Sequence, residues 1–402
     1  MIDVNCTVND GEKRSDRVLK PALLENFGSL REENMVAMRC AQEKGTRVVG
    51  IFCAYCPREL VLAAGAIPVS LCGTQEAPIA AAERDLPCNL CPLIKSSYGF
   101  ALTEQCPFFL LSDLVIGETT CDGKKKMFEL LQKNVMKPVY VMHLPQVPDD
   151  AASLELWYEE LQRLKKHLEA ALEVEITDEA LYEAIHNNNE EARALQGLFD
   201  MNKAKPALIS GLDMLKVSYQ IGFQADRREG VKLVDSLVAD IKEKAAGGYS
   251  VGNMSTPRIL LTGTPVGLGC EKVITLVEGC GGLVIAMENC GGYKTVELRV
   301  EENNQTDPLR LLAEKYMKIP CSVMTPNHRR LDLLKRMVKE FQIDGVIDLT
   351  WQACHTYNIE SYFVAEMVKD ELGLPFLHLE TDYSQHDLET LRVRIEAFLE
   401  MI

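Results

Sequence analysis

Short apolar runs alternate with helical patterns over two stretches of the chain. Residues 46–143 contain the runs RVVGIF, IPVSLC, DLVIGE and PVYVMHL, separated by segments with helical spacing such as KKKMFELLQKN. The same alternation returns from Arg258 onward, with RILLTG, GLVIAMENC, DGVIDL and PFLHLET. Strands that alternate with helices of roughly 10–15 residues are typical of βαβ units. The pattern therefore predicts an α/β protein with two Rossmann-like domains, whose sheets are mainly parallel.

Residues 151–250 have apolar positions at i, i+3 and i+4 without strand-like runs, which predicts helices. Thr177, followed by two acidic residues, is a candidate N-cap within this segment. The clearest linker is GGYSVGNMSTP at 247–257. We therefore predict an N-terminal helical segment over 1–45, a first α/β domain over 46–150, a helical domain or spacer over 151–250 and a second α/β domain over 251–402.

Charge and apolar run lengths exclude several classes of function. The 402 residues include 43 Lys and Arg against 59 Asp and Glu, giving a net charge of −16. This acidity argues against binding to nucleic acid, which requires a basic surface. The longest uncharged stretch, Leu60–Gln75, is too short to cross a membrane, and the N-terminus lacks the pattern of a secretory signal. We expect a cytoplasmic protein that acts on neither nucleic acid nor membrane.

The chain has 14 cysteines, which a protein of this size in a reducing compartment does not need as disulfides. Nine of them precede residue 122, none lies between 122 and 269, and five follow. This distribution suggests that the two α/β domains share a cysteine site. Isolated cysteines in apolar surroundings are expected to be buried fillers, and to this group we assign Cys6, Cys40, Cys270, Cys280 and Cys321.

The remaining cysteines follow predicted strands or begin predicted helices. In open α/β sheets the functional crevice lies beyond the carboxyl ends of the strands. The cysteines at such positions are Cys53, Cys72, Cys121, Cys290 and Cys354, and Cys91 precedes Pro92 at a predicted helix start. Glycine follows several of them, as in Cys72-Gly73, Cys121-Asp122-Gly123 and Cys290-Gly291-Gly292. We expect these glycines to let the backbone approach a bulky inorganic group.

Two kinds of metal site fit this pattern. The pairs CAYC and CNLC, which contain Cys53, Cys56, Cys88 and Cys91, have the spacing of a structural zinc ribbon. A zinc ribbon would leave Cys121, Cys290 and Cys354 unexplained, and the run of cysteines found in ferredoxins is absent. Thiolates spread over two domains favour an iron–sulfur cluster between those domains.

Other motifs carry weaker signals. GTPVGLG, at 263–269, could bind phosphate, but it lacks the dinucleotide-binding and Walker spacings and is predicted to be a tight turn. The lysines at 124–126 are expected to form a solvated face, or else to offset the charge of a cluster near Cys121. His355 and Glu59 are candidate proton donors, and each could equally be a structural side chain near the site.

Four segments together resemble the 2-hydroxyacyl-CoA dehydratase and benzoyl-CoA reductase family. They are YCPRELVLAAGAIPVSLCG, LPCNLCPLIKSSYG, SDLVIGETTCDGKKKMFELL and DGVIDLTWQACHTY. The resemblance implies a cubane [4Fe–4S] cluster held by three cysteines per subunit and reduced by a separate ATP-hydrolysing activator. By position in the motifs, those cysteines would be Cys91, Cys121 and Cys354.

Cys53, Cys72 and Cys290 exceed what one cubane needs, and Cys106 could replace Cys72 in this second set. The chain is therefore most similar to the double-cubane cluster proteins of the same superfamily. This resemblance implies a homodimer with an [8Fe–9S] cluster, which receives electrons from an ATP-dependent activator and reduces small molecules. Two alternatives stay open: an acyl-CoA dehydratase or reductase subunit with a single cubane, and a non-catalytic carrier of clusters or electrons.

Overall fold

The computed structural model describes residues 21–402. Over this range the chain forms two four-stranded sheets in which every strand pair is parallel, so the predicted α/β class is confirmed. The N-terminal segment enters the described range just before a 3₁₀ turn at Ala22–Phe27. Cys6 lies outside the described residues.

The first sheet has the strand order β2-β1-β3-β4. Its strands are β1 (Val48–Ile51), β2 (Ile67–Ser70), β3 (Leu114–Glu118) and β4 (Val139–Met142). Strands β1 and β3 are buried throughout, as expected for a parallel sheet covered by helices on both faces. Pro68 lies in β2 at the sheet edge, where a residue without a backbone N–H is tolerated.

The second sheet has the equivalent order, β6-β5-β7-β8. Its strands are β5 (Arg258–Gly263), β6 (Leu283–Met287), β7 (Gly345–Trp351) and β8 (Phe376–Thr381). In each sheet the order reverses beside its first strand, at β1/β3 and at β5/β7. Such switch points create a crevice at the carboxyl ends of the strands. The two halves of the chain therefore share one sheet topology.

The helices outside the middle segment follow the predicted periodic stretches. They are Leu30–Glu43, Arg58–Ala63, Ile79–Ala82, Pro92–Leu102, Pro107–Leu111, Asp122–Leu130, Lys272–Gly279, Tyr293–Val296, Pro308–Tyr316, His328–Glu340, His355–Glu366 and Leu388–Leu399. The helix after β3 continues into a π-helical turn at Leu131–Val135, and the helix after β7 continues into one at Met367–Glu371.

The middle segment is helical, as predicted. Its helices are Ala151–Leu172, Asp178–Asp200, Gly211–Ile221 and Arg227–Ala246, with a 3₁₀ turn at Met201–Lys203. The Thr177 side chain accepts a hydrogen bond from the backbone N–H of Ala180 at 3.2 Å, which confirms it as an N-cap. Beyond these helices, the predicted linker at 247–257 consists of turns and one bridge between Val251 and Ala207.

The middle segment packs against both α/β domains. Its helix Asp178–Asp200 lies against Arg58–Ala63 in the first domain and Tyr293–Val296 in the second. Buried Glu191 on this helix pairs with Arg227 at 2.9 Å and with Arg58 at 2.5 Å. The segment therefore connects the two domains by packing against both. Among residues 21–402, no helix is long and apolar enough to cross a membrane.

Candidate functional site

A cavity of about 290 Å³ lies beyond the carboxyl ends of strands from both sheets. Cys53 and Cys56 reach it from the loop after β1, Cys72 from the loop after β2 and Cys290 from the loop after β6. Val266, after β5, also lines it. The structure thus brings the three predicted strand-end cysteines Cys53, Cys72 and Cys290 to one cavity from two domains.

Cys91, Cys121 and Cys354 share a different local structure, because each is the N-cap of a helix. The thiols of Cys91 and Cys354 are hydrogen-bond partners across the domain boundary. Cys121 lies close enough to Cys354 for a negative charge there to raise the pKa of its own thiol, in addition to the larger effect of burial. These three cysteines, which are two from the first domain and one from the second, therefore form a second group.

Cys321 is a further cysteine at the site, although the sequence suggested only a filler. It is buried in the loop between the helices Pro308–Tyr316 and His328–Glu340. Its charge would influence the thiols of Cys53, Cys290 and Cys121, so it neighbours both groups. The sequence did not point to Cys321 because this residue neither follows a predicted strand nor has a glycine beside it. What places Cys321 here is the packing of its loop on the first domain.

The buried thiols at the cavity resist deprotonation on their own. Burial raises the pKa of Cys53 well above its ordinary value and that of Cys290 to about 11, and in each case a neighbouring lysine opposes the shift. In contrast, the hydrogen bond from Cys354 lowers the pKa of Cys91 despite its burial. Thiolates at these buried positions would therefore require compensating positive charge, which a lysine or a bound metal can provide.

The lysines at 124–126 divide into two environments. Lys125 and Lys126 pair with Asp122 and Glu129 on the exposed surface, as a solvated face predicts. Lys124 differs: its side chain is buried, lines the cavity and interacts electrostatically with the thiols of the first domain. For Lys124 the solvated-face expectation was therefore wrong. The helix places every third or fourth side chain on the inner face, and Lys124 occupies that face.

The glycines beside the cysteines serve mainly to bring protein segments together. A Cβ at Gly73 would lie 2.5 Å from the backbone nitrogen of Ser97, and one at Gly292 would lie 2.1 Å from the carbonyl oxygen of Met287. At Gly291, which lines the cavity, the nearest atom would be 3.6 Å away. The expected approach of the backbone to an inorganic group thus fits Gly291, whereas Gly73 and Gly292 are required for packing.

Glu59 lies behind the cavity wall. Its carboxylate accepts hydrogen bonds from the Tyr316 hydroxyl at 2.7 Å and from Asn188 Nδ2 at 2.8 Å, and it lies 3.4 Å from Lys315 Nζ. All three partners line the cavity. Burial lowers the pKa of Lys315 and outweighs the opposing effect of Glu59. Lys315 is therefore a group with an exchangeable proton at the cavity wall, and Glu59 is its buried partner.

The other predicted side chains lie at the edges of the site. His355 is exposed in the first turn after Cys354. Cys106 is the N-cap of Pro107–Leu111, where its sulfur accepts from the Phe109 N–H at 3.4 Å. Its packing there explains its position without a role at the cavity.

The zinc-ribbon set is not assembled in this structure. Cys88 is exposed, whereas Cys53, Cys56 and Cys91 are covered to different degrees. Among the residues from 21 to 402, no three His, Cys, Asp or Glu side chains are grouped so as to hold one metal ion.

The segment at 263–269 forms the predicted strand-to-helix turn. Gly263 and Gly269 have φ values of +104° and +109°, which favour glycine. A Cβ at Gly263 would lie 2.1 Å from the carbonyl oxygen of Leu349, so close strand packing also requires glycine there. The turn packs against Thr74 through a hydrogen bond to the Leu268 carbonyl at 2.8 Å.

Comparisons with known proteins agree with this architecture. The family model described as 2-hydroxyglutaryl-CoA dehydratase, D-component, matches residues 53–402. The chain is 43% identical to "Putative dehydratase subunit YjiM" of Escherichia coli over 95% of its own length and 98% of that protein. It is 26% identical to the (R)-phenyllactyl-CoA dehydratase beta subunit of Clostridium sporogenes over 91% of this chain and 94% of that subunit. With the beta subunit of (R)-2-hydroxyglutaryl-CoA dehydratase from Acidaminococcus fermentans, it shares 22% identity over 95% and 99% of the two chains. The chain therefore belongs to the 2-hydroxyglutaryl-CoA dehydratase D-component family.

Proposed function

We propose that the chain is an iron–sulfur reductase component that binds an [8Fe–9S] double cubane. In this proposal an ATP-hydrolysing activator supplies low-potential electrons, and a small unsaturated molecule is reduced in the cavity. The observation that carries the proposal is the number of neighbouring thiols. Eight cysteines from two domains surround the site: Cys53, Cys56, Cys72, Cys91, Cys121, Cys290, Cys321 and Cys354.

Two cubanes joined by a bridging sulfide need three thiolates each. The first set is Cys91, Cys121 and Cys354, all at helix N-termini. For the second set we favour Cys53, Cys290 and Cys321, because Cys321 is an electrostatic neighbour of both Cys53 and Cys290. Cys72 is the alternative third ligand, since it also lines the cavity. The donor set is all-thiolate, which suits iron–sulfur clusters.

The chain's own groups would bind the substrate and deliver protons. The bound cluster would supply electrons. Apolar side chains, including Leu195 and Phe223, line much of the cavity. Lys315 Nζ would hold a proton at the cavity wall, with Glu59 orienting it and Tyr316 packed against it. In this arrangement Glu59 acts through Lys315.

Metal and sulfide analysis after strictly anaerobic purification tests the cofactor. The proposal expects about eight irons per chain and no zinc. About four irons, or stoichiometric zinc, would contradict it. Reduction of acetylene that depends on both ATP and the activator tests the activity, and its absence with an intact cluster would favour a non-catalytic carrier.

The second candidate is a subunit of an acyl-CoA dehydratase with a single [4Fe–4S] cluster. The relatives named as beta subunits of such enzymes support it, because the alignments span over 90% of both partners. This candidate expects about four irons per chain, an unlike second subunit and turnover of 2-hydroxyacyl-CoA thioesters. Assays of thioester turnover with the activator distinguish the two functions.

A homodimer is the assembly proposed with the double cubane. The helix His355–Glu366, which begins after Cys354, exposes 69% of Ile359, 68% of Tyr362 and 52% of Phe363. Exposed apolar groups at helical spacing are typical of interaction surfaces. Light scattering on the purified holoprotein tests the assembly: a mass of two chains supports it, and a mass of one chain contradicts it.

A further inference from the structure

We propose that Lys124 and Lys294, each paired with a buried glutamate, are fixed counter-charges that raise the reduction potential of the cluster held by the neighbouring cysteines. This inference rests on the proposed function and adds a role for residues outside the ligand set.

The first pair lies in the domain that contains β3. Glu118 ends β3, and its Oε2 lies 3.6 Å from Lys124 Nζ. The Lys124 ammonium is 5.9 Å from the ring centroid of Phe52 and 5.7 Å from that of Phe128. A desolvated ammonium between two aromatic faces is held in place, since moving it would forfeit both cation–π contacts. Its position is therefore fixed next to the loop that begins with Cys53.

The second pair is its counterpart beyond β6. Lys294 Nζ lies 3.1 Å from Glu288 Oε1 and donates a hydrogen bond to the Tyr357 hydroxyl at 2.8 Å. The other oxygen of Glu288 accepts from Thr262 at 2.7 Å and lies 3.4 Å from Arg330 Nε. Lys294, Glu288 and Arg330 have no solvent-exposed side-chain surface. The cation is thus held by a buried network.

In both pairs the lysine has a larger effect than the glutamate on the pKa of a cysteine thiol. Lys124 influences the thiol of Cys53 more strongly than Glu118 does, and Lys294 influences Cys290 more strongly than Glu288 does. Lys124 also lines the cavity together with Cys53, and Lys294 follows Cys290 by four residues. At each of these two thiols, the positive charge of the pair therefore outweighs the negative charge.

The two pairs also have the same spacing along the chain. The two segments are ETTCDGK and ENCGGYK. In each, a glutamate lies at or just after the end of a strand, and a cysteine lies in the turn that follows. A lysine six positions after the glutamate pairs with it. Each segment contains one cysteine between the glutamate and the lysine: Cys121 in the first domain and Cys290 in the second. A buried ion pair is costly and by itself weak evidence for stability, so its presence twice beside the same site calls for a function.

The electrostatic role makes a prediction about sign. Reduction adds negative charge to the cluster, and a nearby cation stabilises the reduced state more than the oxidised state. Removing a lysine should lower the midpoint potential, whereas neutralising its glutamate should raise it. A purely structural role would not shift the potential in opposite directions for the two partners of one pair.

The experiment measures midpoint potentials of the anaerobically purified holoprotein by redox titration monitored by EPR. We expect lower potentials in Lys124→Met and Lys294→Met, higher potentials in Glu118→Gln and Glu288→Gln, and a potential close to wild type in Lys124→Arg. Lys125→Met is the matched control. Lys125 is the next residue after Lys124, but its side chain is exposed and paired with Asp122. Iron content is measured for every variant, so that loss of the cluster is recognised.

Equal potentials in all variants that keep their iron, or shifts of the same sign for both partners of a pair, would overturn the inference. If Lys124→Met fails to fold, the glutamate variants and Lys124→Arg still test the sign. A wild-type protein that binds no cluster would contradict the proposed function itself, which separates that failure from failure of the counter-charge role.

Discussion

The hydroxyl of Tyr55 donates a hydrogen bond to the carbonyl oxygen of Ile319 at 2.9 Å. Tyr55 lies two residues after Cys53, and Ile319 lies two residues before Cys321. This one bond therefore connects the two loops that carry cysteines of different domains.

Tyr55→Phe should loosen the contact between these loops. The ring would remain packed, and the buried carbonyl of Ile319 would keep its second hydrogen bond, from the Cys321 N–H at 2.9 Å. The loss is therefore that of one hydrogen bond, about 1 kcal/mol. Chemical denaturation of the apoprotein measures the loss. Equal stabilities of the Tyr55→Phe variant and the wild type would show that water or another donor replaces the bond.

Cys321→Ala and Cys72→Ala distinguish the two possible ligand sets. If Cys321 is the third ligand of the second cubane, its removal should reduce iron from about eight to about four per chain, while Cys72→Ala keeps most of it. Cys40→Ala is the control because Cys40 is exposed. Iron loss in Cys72→Ala with full iron in Cys321→Ala would instead support the set expected from sequence.

Lys315→Met should reduce turnover without loss of iron. A positioned proton donor typically contributes about 10²–10⁴-fold to the rate, and the thioether cannot supply a proton. ATP-dependent acetylene reduction measures the effect, and Lys318→Met on the exposed surface nearby is the control. Unchanged turnover in Lys315→Met would assign proton delivery to another group or to water.

Glu191→Gln should destabilise the contact between the helical segment and the first domain. The buried carboxylate pairs with both Arg58 and Arg227, and its loss leaves two cations without compensation, for which about 3–5 kcal/mol is typical. Glu190→Gln is a matched control one residue away, because its pair with Arg193 is half-exposed. Denaturant unfolding curves compare the two variants, and similar midpoints would contradict the prediction.

Glu278 should make stability depend on pH. Burial raises its pKa from 4.5 to about 7, although its Oε1 accepts the Gly211 N–H at 2.6 Å. Between these two pH values the unfolded chain has lost the proton and the folded chain keeps it, so stability falls as pH rises from about 4.5 to about 7. The fall is at most about 3 kcal/mol.

Glu278→Gln should remove this part of the pH dependence. The free energy of unfolding at pH 5 and pH 7 measures it, with exposed Glu243→Gln as the control. An unchanged slope in Glu278→Gln would show that other groups cause the dependence.

Much of the architecture could be predicted because it depends on the local pattern of apolar and polar residues. The eight apolar runs became β1–β8, and the cysteines that follow them lie at the carboxyl ends of the strands because the chain direction of a parallel sheet requires it. The positions of Cys321, Lys124 and Lys315 could not be predicted in this way. Each is determined by how a loop or helix packs on another element, which no local pattern specifies.

The equal strand orders of the two sheets have a consequence for the composition of the site. In the first half cysteines follow β2, lie in the crossover to β3 and follow β3; in the second half they occupy the same places relative to β6 and β7. The corresponding pairs are Cys72 with Cys290, Cys91 with Cys321, and Cys121 with Cys354. The helices after Cys121 and Cys354 each continue into a π-helical turn of their own. Six cysteines at the site therefore occupy equivalent topological positions in the two halves, so that each half supplies three of them.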